Sequence, residues 1–210
     1  MEQPIILISG GTGVGTSRIA TELANKIHIY SVVSTDSIRE ILRCLIHPGL
    51  NPTLQQSTYL AGQSENYKEK GEDLQQEKII RAFKTQVQAV AVGIQGIIER
   101  SPKENSPVII EGIHIIPRKY PDTINKHILQ YFIDIPDKSV HRSRFELRAT
   151  QSPYRKLQHY LENFTEIRWI QDYLRRKAQE AQDTVIIENQ GSLDGSVDAC
   201  MRVYFKRFHP

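Results

Sequence analysis

The chain has 210 residues, 39% of them hydrophobic, 24% charged and 8% aromatic, with a formal net charge of +3. That length supports one domain with a sizeable core, and no apolar run approaches the roughly 18 residues that a membrane span needs. A charge this small is no footprint for nucleic acid, and Cys44 and Cys200 give no disulfide framework, so both are expected to be reduced, buried thiols.

The opening residues, MEQPIILISGG, carry neither a basic n-region nor a small-residue cleavage site, and are expected to be the first strand of a cytoplasmic protein. A β-branched run at 5–8 gives the strand signal. Residues 10–20, GGTGVGTSRIA, then match G-x-x-x-x-G-K-[ST] everywhere except at the lysine, where Thr16 stands. Gly10, Gly11, Thr12, Gly13, Val14, Gly15, Thr16 and Ser17 are therefore candidate ATP-binding residues. Backbone N–H groups of such a loop close around phosphate oxygens, and the helix opened by Ile19, Ala20, Leu23 and Ala24 adds its positive end. Ser17 occupies the position whose hydroxyl meets Mg²⁺. The bland alternative is a glycine-rich strand-to-helix turn with no ligand.

A second strand at 30–33 leads into STDSIRE, where Asp36 and Arg39 lie on one side of a first helical turn. Asp36 is a candidate proton acceptor for a hydroxyl and Arg39 a candidate anion holder; read structurally, Asp36 is a helix N-cap. Residues 47–74 are polar and punctuated by Pro48, Gly49, Pro52, Gly62 and Gly71, which predicts an insertion with a short helix inside it. Apolar residues from Ile79 to Ile98 recur at helical spacing. The third strand, 108–110, runs into VIIEGIH, so Glu111 ends it in the manner of a Walker B carboxylate. His114 is expected to be a satisfied buried histidine, and the seven histidines show no metal-ligand spacing.

A fourth strand at 131–135 precedes a basic cluster: Lys138, Arg142, Arg144, Arg148, Arg155 and Lys156, against Glu146 alone. Arg144 and Arg148 are four apart on one helix face. Such a cluster is either a solvated face or, in nucleotide kinases with a lid, the pair that packs on adenine and touches the phosphates. One helix is expected over 157–174 and a fifth strand at 185–187. Alternating strands and helices predict βαβ units and a parallel sheet, with ligands beyond the carboxyl ends of its strands.

Together, GGTGVGTSRIA, STDSIREILR, NPTLQQSTYLA, VIIEGIHIIP, IPDKSVHRSRFELRA and YLENFTEIRWIQDYL resemble, in this order, segments of the 2-phosphoglycerate kinase family, and they cover most of residues 5–175. The resemblance implies an α/β P-loop nucleoside-triphosphate-hydrolase fold of the nucleotide-kinase kind, a five-stranded parallel sheet flanked by helices. It implies one kinase domain over 1–210, with a substrate-binding insertion at 46–75 and a lid region at 137–157. It also implies ATP and Mg²⁺ as cofactors and transfer to the hydroxyl of a small phosphorylated acid, 2-phosphoglycerate giving 2,3-bisphosphoglycerate. A mevalonate 3-phosphate 5-kinase is similar to the same family, so that acceptor stays open; a nucleotide-binding regulatory switch is the alternative from another class. No nucleic-acid or membrane partner is expected.

The implied roles are Ser17, Asp36 and Glu111 on the metal, Asp36, Glu111, Arg148 and Arg155 in catalysis, and Arg144 with the loop on ATP. Arg39, Arg43, Arg118 and Lys119 are implied for the acceptor's phosphate and carboxylate. The GTS ending of the loop is a feature of the family. The missing lysine's charge is expected from a mobile lid at 149–156, chiefly from Arg148 with Arg155 in support, and Arg18 is expected to point away from the phosphates. Members of the family can carry an N-terminal ATP-cone-like region, whereas this sequence opens on the first strand.

Overall fold

A computed structural model describes residues 3–62, 71–151 and 157–209, of which 148–151 are described by backbone alone. In chain order the elements are β1 (Ile5–Ser9), α1 (Thr16–Ile27), β2 (Val32–Ser34), α2 (Thr35–Leu45), a 3-10 turn (Pro52–Gln55), α3 (Glu72–Lys103), β3 (Val108–Gly112), α4 (Asp122–Asn125), β4 (Ile128–Asp134), α5 (Lys138–Gln151), α6 (Leu157–Glu162), α7 (Phe164–Glu180), β5 (Thr184–Glu188) and α8 (Leu193–Phe208). The strands among the described residues pair in parallel in the order β2-β3-β1-β4-β5.

Strand character follows from burial on both faces. Every residue of β1, β3 and β4 is buried, as expected for central strands of a parallel sheet covered by helices. Side chains alternate between the faces: Ile6 and Ile8 join Ile19, Leu23, Val197 and Tyr204 of α1 and α8, while Ile5 and Leu7 join Ile38, Val90, Ile94 and Ile98 of α2 and α3. A third apolar cluster, with Phe83, Phe132, Phe145, Ile170 and Leu174, ties α3, α5 and α7 to the sheet. The chain runs from β1 out to β2, returns through β3 and then crosses β1 to β4, so the strand order reverses beside the carboxyl end of β1, the switch point of the sheet.

Three expectations change. The helix expected over 157–174 is two helices, broken at Asn163, whose φ is −109° and ψ 23°. The Asn163 amide donates to His159 O at 2.7 Å, taking the carbonyl that its own N–H would otherwise use, and Ile167 N–H restarts the ladder on Asn163 O at 3.1 Å. The insertion ends sooner than 74, because α3 already begins at Glu72. Cys200 is buried, and burial pushes its thiol up to about 12, but Cys44 is exposed. Only Thr35 and Ile38 of α2 are buried, so the apolar-looking end of that helix, including Leu45, faces solvent.

Candidate active site

The loop after β1 turns through left-handed glycines, Gly13 at φ 87° and Gly15 at φ 99°, and Gly15 is the N-cap of α1. That first helical turn has no side-chain cap and no acidic residue. Its N–H groups and the positive end of the helix are thus left for an anion, which is what a phosphate site requires. Gly11, Thr12 and Val14 are held from outside. Gly11 N–H donates to Gln171 Oε1 at 2.6 Å, and the Gln171 amide donates in turn to Asp134 Oδ1 at 2.8 Å, whose carboxylate pairs with Arg175. Asn189, in the loop after β5, donates its amide to Val14 O at 2.8 Å.

Thr12 O lies 2.8 Å from His141 Nε2, so Nε2 carries the proton and donates. Nδ1 then accepts from Arg168 Nη1 at 3.4 Å. Burial lowers the His141 pKa to about 4, which keeps the ring neutral.

Register brings the acidic strand end to the loop. Glu111 pairs with Ile8 of β1 on one side and Ser34 of β2 on the other. It is 4% exposed, and each of its oxygens accepts from a hydroxyl of the loop: Thr16 Oγ1 at 2.9 Å on Oε2 and Ser17 Oγ at 3.0 Å on Oε1. A carboxylate beside a serine hydroxyl is the oxygen donor set that suits Mg²⁺, an ion that keeps waters and nucleotide phosphates as its other ligands.

Asp36 stands two residues beyond Ser34. It is not the N-cap: Ser34 is, its hydroxyl accepting from Asp36 N–H at 3.2 Å. The Asp36 carboxylate is therefore exposed and without a capping role, 4.0 Å from Arg39 Nε and 3.8 Å from His114 Nδ1. Arg39 Nη1 donates to Leu54 O at 3.3 Å and Gln56 O at 3.0 Å, which fastens the 3-10 turn to α2, while its Nε is buried without a hydrogen bond.

The cations divide. Arg144 and Arg18 line a cleft of about 200 Å³ with Gly13, Gly15, Thr16, Ser17 and Leu147. Arg144 also donates to Asn189 O at 3.0 Å. Arg18, in the first turn of α1, thus borders the cleft at the loop. The Arg148 side chain, all of Arg155 and the expected lid, apart from the backbone of 149–151, lie outside the described residues.

Arg43 is paired with Glu40 on the exposed side of α2. Arg118 and Lys119 are not in the site. They line a separate cleft with Lys177, Glu180 and Asp183, at the residues that lead into the start of β5, and Arg118 stacks over Tyr120 at 4.7 Å. After Gly112 the chain crosses to β4, where the Gln130 amide holds the Arg118 backbone, donating to Arg118 O at 2.8 Å and accepting from Arg118 N–H at 3.3 Å.

Sequence reasoning missed Gln86, His141 and Gln171. Gln86 and Gln171 are polar residues within largely apolar helical stripes, whereas His141 lies within the basic cluster of α5. Gln86 is fully buried between Phe83 and Val90, and Gln171 between Ile170 and Leu174. A polar residue inside a buried stripe needs a fixed partner, and that was the available signal.

No protein-family model matches the chain. Among curated proteins it is similar to the 2-phosphoglycerate kinase of Methanococcus vannielii, 38% identical over 208 residues, which is 97% of this chain and 65% of that one. The 2-phosphoglycerate kinase of Pyrococcus furiosus is 43% identical over 190 residues, 88% of this chain and 59% of that one. The chain thus spans about three fifths of the length of the curated relatives it matches. Among solved structures it resembles the TT1252 protein of Thermus thermophilus, at a TM-score of 0.55 and 14% identity over 100% of both chains. It also resembles shikimate kinase of Bacteroides thetaiotaomicron, at a TM-score of 0.51 and 14% identity, over 96% of this chain and 98% of that one. The fold is that of the P-loop kinases, and by sequence the chain is a homologue, over most of its own length, of the archaeal proteins named 2-phosphoglycerate kinase.

Proposed function

We propose that the chain is an ATP-dependent kinase of a small phosphorylated acid, converting 2-phosphoglycerate to 2,3-bisphosphoglycerate in the cytoplasm. The observation that carries the reading is Glu111 receiving both Thr16 and Ser17 at the foot of an uncapped, glycine-lined helix, with Asp36 at the neighbouring strand end. A nucleotide-binding switch needs the loop but no acid poised for an acceptor. The relatives named 2-phosphoglycerate kinase direct the choice of acceptor.

Phosphoryl transfer asks a protein mainly for alignment and charge stabilisation. In this reading the loop N–H groups hold the ATP phosphates, and Glu111 and Ser17 hold the Mg²⁺ that neutralises phosphate charge. Asp36 takes the proton from the acceptor hydroxyl as its oxygen bonds to the γ-phosphorus and the bond to the ADP oxygen breaks. The segment 46–62, anchored at its 3-10 turn, forms a wall of the acceptor site, with Arg39 beside it. Positive charge comes from arginine: Arg18 and Arg144 in the cleft, together with Arg148 and Arg155.

The test is ADP release by the purified chain with MgATP and 2-phosphoglycerate, with ³¹P spectra of the product. Acceptor-dependent release with a new 3-phosphate signal is expected. Release only with mevalonate 3-phosphate would change the acceptor and keep the class. Release that no acceptor stimulates would favour the switch.

A further inference from the structure

We propose that His114 is a positioning residue for this transfer, joining the acceptor-side turn at 52–56 to Asp36 through one hydrogen bond on each ring nitrogen. The inference rests on the acceptor reading above. His114 is 1% exposed, lies 3.8 Å from Asp36 and plays no direct part in the proton transfer just described.

The direction of every bond in the path follows from its far end. Gln86 Nε2 lies 2.5 Å from Thr53 O and 3.1 Å from Gln56 O, two carbonyls that only accept, so its amide nitrogen faces the turn and Oε1 faces away. Oε1 lies 3.1 Å from His114 Nε2, and an amide oxygen only accepts, so Nε2 carries the proton. Nδ1 is then bare and accepts from Thr35 Oγ1 at 3.1 Å. Burial, with the nearby Arg39 charge, lowers the His114 pKa to about 3, in accord with one proton on the ring. For the same reason the 3.8 Å approach to Asp36 is no ion pair: the facing nitrogen carries no hydrogen.

The path is built into the backbone as well. Thr35 is fully buried and directly precedes Asp36. Gly112, at φ 136°, follows Glu111, and a Cβ there would occupy the position of the Thr35 hydroxyl. The strand end is thus shaped around the group that His114 receives. On the other side, the turn held by Gln86 and Arg39 keeps two buried polar atoms without a hydrogen bond, Gln56 Oε1 and Arg39 Nε, the latter 4.0 Å from the Asp36 carboxylate. Buried polar atoms are ordinarily hydrogen-bonded. His114 fixes how far that turn stands from Asp36.

The two halves of the bridge separate by mutation, because an asparagine amide reaches the position of Nδ1 and a glutamine amide that of Nε2. His114→Asn keeps the Thr35 bond and loses Gln86. It is expected to raise the KM for 2-phosphoglycerate by ~10-fold with the KM for ATP little changed, and to speed amide exchange at 53–56 while leaving 13–17 unaltered. His114→Gln keeps Gln86 and loses Thr35, and is expected to lower kcat with the acceptor KM near that of the unaltered protein. Gln86→Leu removes the same bond together with those to Thr53 O and Gln56 O, so it should raise the acceptor KM at least as far, and it takes the place of His114→Asn if that variant does not fold, as judged by its melting curve. A purely structural histidine would shift melting in all three and leave the KM and kcat effects undivided, which would overturn the proposal. If the unaltered protein does not turn over 2-phosphoglycerate, the acceptor reading fails on its own, and exchange decides the bridge: faster exchange at 53–56 in His114→Asn supports it, and unchanged exchange overturns it.

Discussion

Thr16 donates its hydroxyl hydrogen to Glu111 across 2.9 Å, so the residue at the usual lysine position of the loop is bound to the acidic strand end and supplies no charge. Thr16→Val keeps the shape and removes the donor from a buried carboxylate. A lost hydrogen bond to a charged group is worth about 1.5–3 kcal/mol. The variant should therefore melt earlier and bind MgATP roughly tenfold or more weakly by calorimetry. Unchanged binding would mean that Thr16 only fills space.

Because Ser34 caps α2, the two neighbours should fail in different ways. Ser34→Ala is expected to cost about 1 kcal/mol of stability. Asp36→Asn should shift the urea midpoint little and lower kcat by roughly 10² to 10⁴. Near-normal turnover of Asp36→Asn would remove it as the proton acceptor.

Two buried neutral histidines make the fold sensitive to acid. Their folded pKa values, about 3 for His114 and about 4 for His141, lie below the ordinary value near 6.5. The unfolded chain therefore binds more protons as pH falls. The stability these groups contribute is complete above about pH 6.5 and is lost progressively below it, by about 1.4 kcal/mol per pH unit for each ring. His141→Gln can still donate to Thr12 O but does not titrate, so urea unfolding between pH 6.5 and 4.5 should show one such slope fewer. An identical slope would place the proton uptake elsewhere.

The charge that Thr16 lacks is open to direct comparison. Arg148→Ala should lower kcat by ~10² or more, and Arg18→Ala by ~10-fold or more, with ATP still bound through the loop. Normal turnover in both variants would leave Arg144 and Arg155 as the arginines that supply that charge.

What the sequence carried best was the sheet and what hangs directly from its strand ends. Apolar runs rich in β-branched residues at 5–8 and 108–110 mark doubly covered strands; Asp36 and Glu111 are fixed at or within a few residues of a strand end, and Ser17 by the glycine loop and the first turn of α1. Arg118 and Lys119 were misplaced because six residues beyond a strand is enough for the chain to turn back. The break at Asn163 was hidden because apolar spacing continues across it, from Leu161 through Phe164 to Ile167; only a side chain competing for a carbonyl ends the helix there. His114, Gln86 and Gln171 act through partners distant in sequence. Spacing could suggest that they needed partners but could not name them.

Gly13 meets the Phe145 ring of α5 so closely that a Cβ on the glycine would lie 2.5 Å from the ring. The glycine is thus constrained twice, by its left-handed φ and by a neighbour with no room to give. Helix α5 also carries His141, which grips Thr12 O, and Arg144, which lines the nucleotide cleft. Loop and helix therefore bear directly on one another, like a shaft in its seat. Any side chain at Gly13 would have to push Phe145 aside, and with it the helix that holds Thr12 O and lines the cleft.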